Sequence, residues 1–341
     1  MQVLQRRGGF VETVHRVRAV AVVAPVSGPP HIAWETGAPT TSPWRSAGKP
    51  LQLLGSLLEM EAGRCDPAGS HESPQVPELA SWSAESLALG ASSHSGQPGH
   101  VARVRALLAG FGLDAADLRC GAESPAHAPT ARELTRAGED PSALHNDCSG
   151  KHTFMLGACV ARGWDREYRP LEHPLQQAIR AHVIRLCGET PGAAVDGCGV
   201  PVWVLSVAGM ARAWAHMSAE MAAPMADPVL GRIGHAMAAH PWLVSGDDRL
   251  DLALAEGATE TWVGKVGAGG VFCISLPERR LGIAIKVETG NTSALAVAVE
   301  AVTRAVAPGA LGPLGDFPWR VVRNVVGDRV GDRVVMAPSG A

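Results

Sequence analysis

The chain has 341 residues, of which 46% are hydrophobic and 18% are charged, with a formal net charge of −3. It is too apolar for a wholly disordered protein, and its charge gives no reason to expect nucleic acid or an acidic membrane as a partner. Seven cysteines, an odd number, do not suggest a disulfide framework. No run approaches the roughly 18 apolar residues of a membrane span, so we expect a cytoplasmic protein.

Lysine is scarce in this chain. Of 30 basic side chains only four are lysines, at Lys49, Lys151, Lys265 and Lys286. Arginine stays protonated in proteins, whereas a lysine amine can become neutral and act as a base or a ligand. The four lysines are therefore candidates for roles that arginine cannot fill, although chance would leave the same pattern.

The first part of the chain has strand patterns, and helical patterns follow. Segments 11–24 and 31–34 are predicted to be strands joined by a turn. A helix is predicted from Pro50, where leucines recur at helical spacing. The other elements predicted in this part are helices over 101–111 and 175–186, ending at Gly112 and Gly188, and a polar loop from Arg64 to Pro77.

The C-terminal part returns to strand patterns. Segments 261–276 and 281–287 are rich in Val and Ile and predict an antiparallel hairpin, and a helix is predicted over 292–306. Strands at both ends with helices between them predict one interlocked α+β domain, 1–341, whose terminal strands share a sheet. A tandem Gly-Asp-Arg-Val repeat from Gly327 predicts an exposed tail.

The first chemically suggestive pattern is Ser46-Ala-Gly-Lys49, at the start of the predicted Pro50 helix. A spacing of three residues on a helical turn places both side chains on one face, so the amine can reach the hydroxyl. A serine hydroxyl becomes a good nucleophile when an adjacent base takes its proton. The helix start also supplies backbone N–H groups for an oxyanion, but the pattern is short enough to arise by chance.

Two further segments can supply polar groups to the same cleft. Ser93 lies in Ala-Ser-Ser-His-Ser-Gly, where His94 is a possible base, and the alternative is a plain polar loop. Lys265 lies among glycines that allow another element or a ligand to approach a strand closely. If Lys265 faces Lys49, like-charge repulsion lowers the pKa of both amines; otherwise it is a solvated strand residue.

Two segments carry residue types that bind metals. Cys148, Lys151 and His152 fall within one helical turn, and a glycine-rich segment contains Asp196 and Cys198. Thiolates, imidazole and carboxylate are ligands that zinc accepts, but the spacing matches no common zinc finger. Lone cysteines are also often buried as small apolar side chains. The cysteines that we expect to be buried in this way are Cys159, Cys187 and Cys273.

Taken together, these segments resemble the asparaginase II family, the rhizobial type of L-asparaginase, which is unrelated to the threonine-dependent asparaginases. The motifs that carry the resemblance run in the family's order over nearly the whole chain. They are PWRSAGKP at 43–50, SHSG at 93–96, CSGKH at 148–152, DGCGVP at 196–201, KVGAGG at 265–270 and IKVETGN at 285–291.

The resemblance implies a fold like that of serine β-lactamases and penicillin-binding proteins, an αβα sandwich with helices flanking an antiparallel sheet, in a homodimer. It also implies hydrolysis of L-asparagine to aspartate and ammonia. Ser46 would be the nucleophile with Lys49 as its base, and Ser93 with Lys265 would form a second hydroxyl–amine pair.

A zinc ion is implied as well, held by Cys148, Lys151 and Cys198. The substrate-binding residues that the resemblance implies are Arg45, His152 and Asp196. Three residues depart from the family's pattern, namely Gln97, Phe154 and Gly269. They leave open the choice between asparagine, glutamine and other amides. The alternatives are a serine amidase or peptidase of the same fold, and a non-catalytic, zinc-stabilised protein that binds a small molecule.

Overall fold

The computed structural model describes residues 1–64, 77–314 and 317–336. The strands are β1 (Gln2–Arg7), β2 (Phe10–Val23), β3 (His31–Thr36), β4 (Thr41–Pro43), β5 (Gly192–Val195), β6 (Pro201–Ser206), β7 (Val263–Gly267), β8 (Val271–Leu276), β9 (Leu281–Val287), β10 (Val321–Arg323) and β11 (Arg329–Met336).

Helices fill most of the chain between the strands of the two ends. They are α1 (Lys49–Arg64), α2 (Ala84–Gly90), α3 (Pro98–Gly110), α4 (Ala128–Ala137), α5 (Ser149–Arg162), α6 (Pro174–Cys187), α7 (Val207–Ala222), α8 (Pro228–Ala239), α9 (Pro241–Val244), α10 (Leu250–Glu256) and α11 (Thr292–Val306). Within the described ranges, no helix combines the length and the apolar character needed to cross a membrane.

Both ends of the chain contribute to one large antiparallel sheet. Its strand order is β10-β11-β1-β2-β9-β8-β7, with β3 also paired to β2, and β4, β6 and β5 form a separate small sheet. The predicted sharing of a sheet by the terminal strands is confirmed. The predicted tail is wrong as far as Met336, because β11 pairs with β1 from Gly331 opposite Arg7 to Met336 opposite Gln2. Without β11, β1 would present an unpaired edge.

Helices cover both faces of the sheet, as the predicted sandwich requires. Gly282 on β9 approaches the backbone of α7, and Ala284 belongs to the same apolar cluster as Met210 of that helix. Ile283 and Ile285 point to the other face and pack in the cluster of α11. Because both faces are covered, β8 and β9 are almost continuously apolar rather than alternating. The α+β architecture is confirmed.

The local predictions succeed where the periodicity is strong. The helices predicted from Pro50 and over 175–186 and 292–306 are α1, α6 and α11, and Gly188 ends α6 with a φ of 71°. The predicted hairpin is instead a three-stranded meander, because residues 268–270 form a turn with positive φ at Gly269 and Gly270 that separates β7 from β8. The loop predicted from Arg64 to Pro77 lies almost wholly outside the described residues.

Candidate active site

Ser46 lies in a short 3₁₀ turn, Arg45–Gly48, that leads directly into α1. Arg45 has a φ of 53°, a left-handed conformation that is costly for a residue with a Cβ. Its guanidinium lies 2.6 Å from Asp196 Oδ1, which also accepts the Gly197 N–H at 2.8 Å. The structure thus brings together two predicted substrate-binding residues, and the strained backbone directs Arg45 toward Asp196.

The cleft has two lobes, which meet at Ser46. The serine lobe, a cavity of about 330 Å³, is lined by Ser46, Ser93 and the end of β7 among others. The cysteine lobe, of about 410 Å³, is lined by the two cysteines Cys148 and Cys198 and by Asp196 among others. The residues that line both lobes are Ser46, Asp147 and Ala268. The half-buried Ser46 side chain therefore stands between the two predicted groups of site residues.

Lys49 is paired with Ser93 rather than with Ser46. The Lys49 amine is 1% exposed and donates to Ser93 Oγ at 2.7 Å and to the Asp147 carbonyl at 3.3 Å. A buried amine needs such partners, and the long side chain reaches them in the core. Among the described residues the Ser46 hydroxyl makes no hydrogen bond with either lysine, so the predicted Ser46–Lys49 contact is not formed.

Lys265 is fully buried on β7, and its nearest partners are also not those predicted. Its amine donates to the Val266 carbonyl at 2.9 Å and lies 3.7 Å from Asp251 Oδ1, whereas the predicted contact with Ser93 is not formed as a hydrogen bond in the described chain. Burial lowers the pKa of Lys265 to about 8, against the opposing charge of Asp251. The predicted repulsion from Lys49 acts in the same direction as burial, as a smaller cause.

Asp147 and His94 are two further ionisable residues near the Lys49 amine. Burial alone would raise the pKa of Asp147, but Lys49 and a hydrogen bond with Cys148 hold it well below its usual range. His94 Nδ1 accepts the Gly96 N–H at 3.1 Å, so Nε2 carries the proton and donates to Ser149 Oγ at 2.8 Å. Burial also lowers the pKa of His94 far below its usual value. With both nitrogens engaged, His94 holds the local backbone in place and is not the base considered above.

The predicted metal ligands do converge. The Lys151 amine lies 3.1 Å from Cys198 Sγ, and the Cys148 and Cys198 thiols are hydrogen-bonded to each other. That contact lowers the pKa of Cys198 and raises that of Cys148. Burial lowers the pKa of Lys151, but the two sulfurs raise it above its usual value.

His152 lies behind the cysteines. It is fully buried, does not line either lobe, and its Nδ1 lies 2.6 Å from the Tyr168 hydroxyl. Its Nε2 has no hydrogen-bond partner among the described residues, yet it is close enough to Cys198 for each group to shift the pKa of the other. Burial lowers the pKa of His152 to about 4. Any influence of His152 on a ligand in the cleft therefore passes through Cys198.

The donor chemistry of this cluster fits zinc, with one condition. Two thiols, an amine and a nearby orphaned imidazole nitrogen are soft and borderline donors of the kind that zinc takes. No group of three or more His, Cys, Asp and Glu suited to a metal occurs in the described part of the chain. A metal here would therefore depend on the Lys151 amine, in its neutral form, as a ligand.

The three departures from the family pattern have different surroundings. Phe154 is fully buried and packs against Trp82, with ring centroids 5.0 Å apart, so it belongs to the core. Gln97 exchanges hydrogen bonds with Asp247, donating at 2.7 Å and accepting at 3.0 Å. Gly269 lines the serine lobe. Of the three, only Gly269 borders the cleft directly.

The sequence analysis missed residues that complete the serine lobe. Arg249 and Asp251 line it, and neither was named as a candidate, whereas Asp147, which directly precedes the CSGKH motif, was given no role of its own. Asp251 had a detectable signal, since it lies in the apolar segment Leu-Asp-Leu-Ala-Leu and shares the buried face of α10 with Leu254. The cysteines expected to be small apolar residues, Cys159, Cys187 and Cys273, are all buried as predicted.

Comparisons with known proteins agree with this picture at the level of the family. The sequence model of the family described as L-asparaginase II matches residues 3–335. No curated protein matches the chain. Similar solved structures include a β-lactamase from Mycobacterium bovis, with 13% identity, a TM-score of 0.45 and coverage of 85% of this chain and 95% of that one.

Two further solved structures are similar at the same low level. A D-alanine carboxypeptidase from Burkholderia cenocepacia has 14% identity, a TM-score of 0.38 and coverage of 84% of this chain and 92% of that chain. A protein called Mglu, in its native form, has 14% identity and a TM-score of 0.44 over 84% of this chain. The chain spans only 63% of the length of Mglu.

Ser46 is half-buried at the junction of the two lobes of the cleft, and the two buried lysines Lys49 and Lys265 contact residues that line the serine lobe. The α+β fold supplies that cleft between the start of α1 and the end of β7. The chain belongs to the L-asparaginase II family, since the family's sequence model covers nearly its whole length. This membership supports an amidohydrolase.

Proposed function

We propose that the protein hydrolyses the side-chain amide of L-asparagine to L-aspartate and ammonia, with Ser46 as the nucleophile. The observation that carries the proposal is the position of Ser46 at the junction of the two lobes. On one side it borders the serine lobe, which is also lined by Ser93, the partner of the buried Lys49 amine. On the other side it borders the lobe of Arg45 and the cysteines. Family membership supports the amide as the substrate class.

The buried amines are proposed to move the protons. Ser46 Oγ attacks the amide carbon and its proton passes to Lys49, which must be neutral for this step. Ser93 lies in the same lobe and contacts the Lys49 amine at 2.7 Å, so its hydroxyl can relay the proton. Ammonia then leaves, and water hydrolyses the acyl-enzyme. Lys265 serves as the second proton carrier.

Backbone N–H groups near Ser46 are proposed to stabilise the oxyanion. The end of β7 passes very close to the Ser46 turn, because a Cβ on Gly267 would lie 2.6 Å from the Trp44 carbonyl and 3.3 Å from the Ala47 nitrogen. Only glycine allows this approach. It holds the N–H groups of the turn and of the following Ala268 around the place where the substrate carbonyl would lie.

Cys148, Lys151 and Cys198 are proposed to hold a zinc ion. When bound, the ion would supply a fixed positive charge that helps to orient the polar end of the substrate. Arg45 and Asp196 border the same lobe as opposite charges, which suits the α-carboxylate and α-ammonium groups of an amino acid. His152 would act on the Cys198 ligand rather than on the substrate.

The test compares hydrolysis rates under the same conditions, measured as ammonia release for L-asparagine, L-glutamine and a peptide carboxamide, and as ring opening, which releases no ammonia, for a β-lactam. The proposal expects asparagine to have the highest kcat/KM. Preference for another amide would support the alternative of a different serine amidase. No turnover, together with unfolding by a chelator, would support the non-catalytic zinc protein. We keep the homodimer and the cytoplasm as proposals for assembly and compartment, to be tested by light scattering and by fractionation.

A further inference from the structure

Asp251 is a buried carboxylate that no motif of the sequence singled out. It lies in the first turn of α10, is 3% exposed, and lines the serine lobe together with Ser46 and Ser93. Burying a carboxylate is costly unless it is paired. Its Oδ2 atom is buried without any hydrogen-bond partner in the described residues, which adds to that cost. A role in fold stability alone does not account for this placement.

The contacts of Asp251 are centred on Lys265. Its Oδ1 atom accepts the Val266 N–H at 2.7 Å and lies 3.7 Å from the Lys265 amine. The same amine donates to the Val266 carbonyl at 2.9 Å. The backbone N–H and carbonyl of Val266 are thus both hydrogen-bonded, one to Asp251 and the other to Lys265. The amine lies between that carbonyl and the carboxylate, and both Val266 and Asp251 line the serine lobe.

The groups around Lys265 shift the pKa of its amine in both directions. Burial lowers the pKa of its amine to about 8, and the cations Lys49 and Arg249 act in the same direction. Asp251 is the largest opposing influence, and the more distant Asp147 is a smaller one. Asp251 therefore favours the protonated amine, whereas a general base would require the neutral form.

We propose that Asp251 is a positioning residue that keeps the Lys265 amine protonated and directed into the serine lobe, so that Lys265 is the proton donor to the departing ammonia. This proposal rests on the proposed function for its chemical step. Its electrostatic part, the control of the charge of Lys265 by Asp251, can be measured without any substrate.

The proton transfers balance over one cycle. Ser46 Oγ bonds to the amide carbon as its proton moves to Lys49. The C–N bond then breaks, its electron pair stays on nitrogen, and that nitrogen takes a proton from Lys265 to leave as ammonia. Water attacks the acyl-enzyme and gives a proton to the neutral Lys265. Finally the ester C–O bond breaks and Ser46 recovers its proton from Lys49.

The test is Asp251→Asn, which keeps an acceptor for the Val266 N–H and removes the charge. The wild type is expected to lose kcat as the pH rises through about 8, because the donor deprotonates. In the variant this basic limb moves to lower pH by one unit or more, so kcat near pH 8 falls about fivefold or more while the loss near pH 6 is small. KM changes little. A purely structural role would lower activity equally at all pH values.

A second readout separates the two proposals. With only four lysines, the Lys265 amine can be followed by NMR of enzyme labelled with ¹⁵N at lysine Nζ. Its titration midpoint is expected to fall in Asp251→Asn and to stay unchanged in Glu256→Gln, which removes an exposed carboxylate from the same helix. If Asp251→Asn does not fold, Asp251→Ser takes its place.

The outcomes are distinguishable. A lowered midpoint without asparaginase activity in the wild type would leave the control of Lys265 by Asp251 intact and reject only the chemical step. An unchanged midpoint and an unchanged basic limb would overturn the inference, whatever the substrate. Asp251→Glu, which keeps the charge, should restore the position of the limb even where its kcat is reduced.

Discussion

Lys265 and Lys151 are both buried, but their pKa values shift in opposite directions. Lys265 and Lys151 are both at most 1% exposed, and burial lowers the pKa of each. The pKa of Lys265 falls to about 8, because burial and the nearby cation Lys49 outweigh the opposing Asp251 carboxylate, which lies 3.7 Å away. That of Lys151 rises, because the sulfurs of Cys198 and Cys148 lie close to its amine.

The comparison teaches that the partner, more than the burial, decides what a buried lysine can do. Lys265 lies near the point where it can give and take a proton close to neutral pH. Lys151 gives up its proton readily only if a cation replaces it between the sulfurs. The serine lobe is thus suited to proton transfer and the cysteine lobe to holding a positive charge. The predictions that follow test this division.

The largest effect is expected for Ser46→Ala, which removes the proposed nucleophile. Turnover of asparagine should fall by at least about ten-thousandfold, because no other group replaces the acyl acceptor. Ammonia release measures it, with thermal unfolding as a check on the fold. The matched control is Ser56→Ala on α1, which removes a buried hydroxyl that donates to the Gln52 carbonyl. Retained turnover in Ser46→Ala would remove this residue from the chemistry.

A somewhat smaller loss is expected for Lys49→Arg. The positive charge is kept but the guanidinium cannot become neutral, so general base catalysis of about a hundredfold to ten-thousandfold is lost. The control is Lys286→Arg, a half-buried lysine whose amine donates to the Gly269 carbonyl and not to a serine hydroxyl. Steady-state kinetics compare the two variants. An active Lys49→Arg enzyme would contradict the requirement for a neutral amine in the serine lobe.

The cysteine lobe is tested by Cys198→Ser. Loss of this sulfur should lower zinc content at equal free metal and reduce kcat/KM by about ten- to a hundredfold, mainly through KM. Elemental analysis and kinetics give the two readouts. The control is Cys159→Ala, which replaces a buried cysteine of the core and should leave the zinc content of the protein unchanged. Purified wild type that binds no zinc at all would refute the proposed role of this lobe.

The smallest of these effects is expected for Gly267→Ala. The added Cβ would meet the Trp44 carbonyl at 2.6 Å, so β7 must move away from the Ser46 turn. A shift of this kind should lower kcat by about ten- to a hundredfold and leave zinc content unchanged. Gly110→Ala, with no atom within 4 Å of the new Cβ, is the matched control. Equal activity of the two variants would argue against the close approach of β7 as a catalytic feature.

Much of the fold could be predicted from local patterns. The helices α1, α6 and α11 follow from apolar periodicity, and Gly188 from the need for a left-handed C-cap. The C-terminal repeat was misjudged because pairing of β11 with β1 joins residues more than 320 positions apart, which no local pattern reveals. The adjacent glycines Gly269 and Gly270 indicate a turn, but the Val-rich residues on both sides favour one continuous strand in a sequence-based prediction.

The site was predictable in its residue types and less so in its contacts. Motifs located the lysines and cysteines, and Lys151 does meet Cys198. The three-residue spacing predicts where the backbones of Ser46 and Lys49 lie, but the Lys49 amine donates to Ser93, 44 residues further along the chain. The apolar sequence context of Asp251 indicates a buried carboxylate, but its contacts with Val266 and Lys265 follow only from the tertiary packing of α10 on β7.

The central claim is that Ser46, and not the lysine-bound Ser93, forms the covalent bond with the substrate. Rapid quenching of the enzyme with L-asparagine, followed by peptide mass spectrometry, tests it most directly. We expect an aspartyl adduct on the peptide that contains Ser46, absent from Ser46→Ala and present in Ser93→Ala. An adduct on Ser93, or steady turnover by Ser46→Ala, would contradict the account.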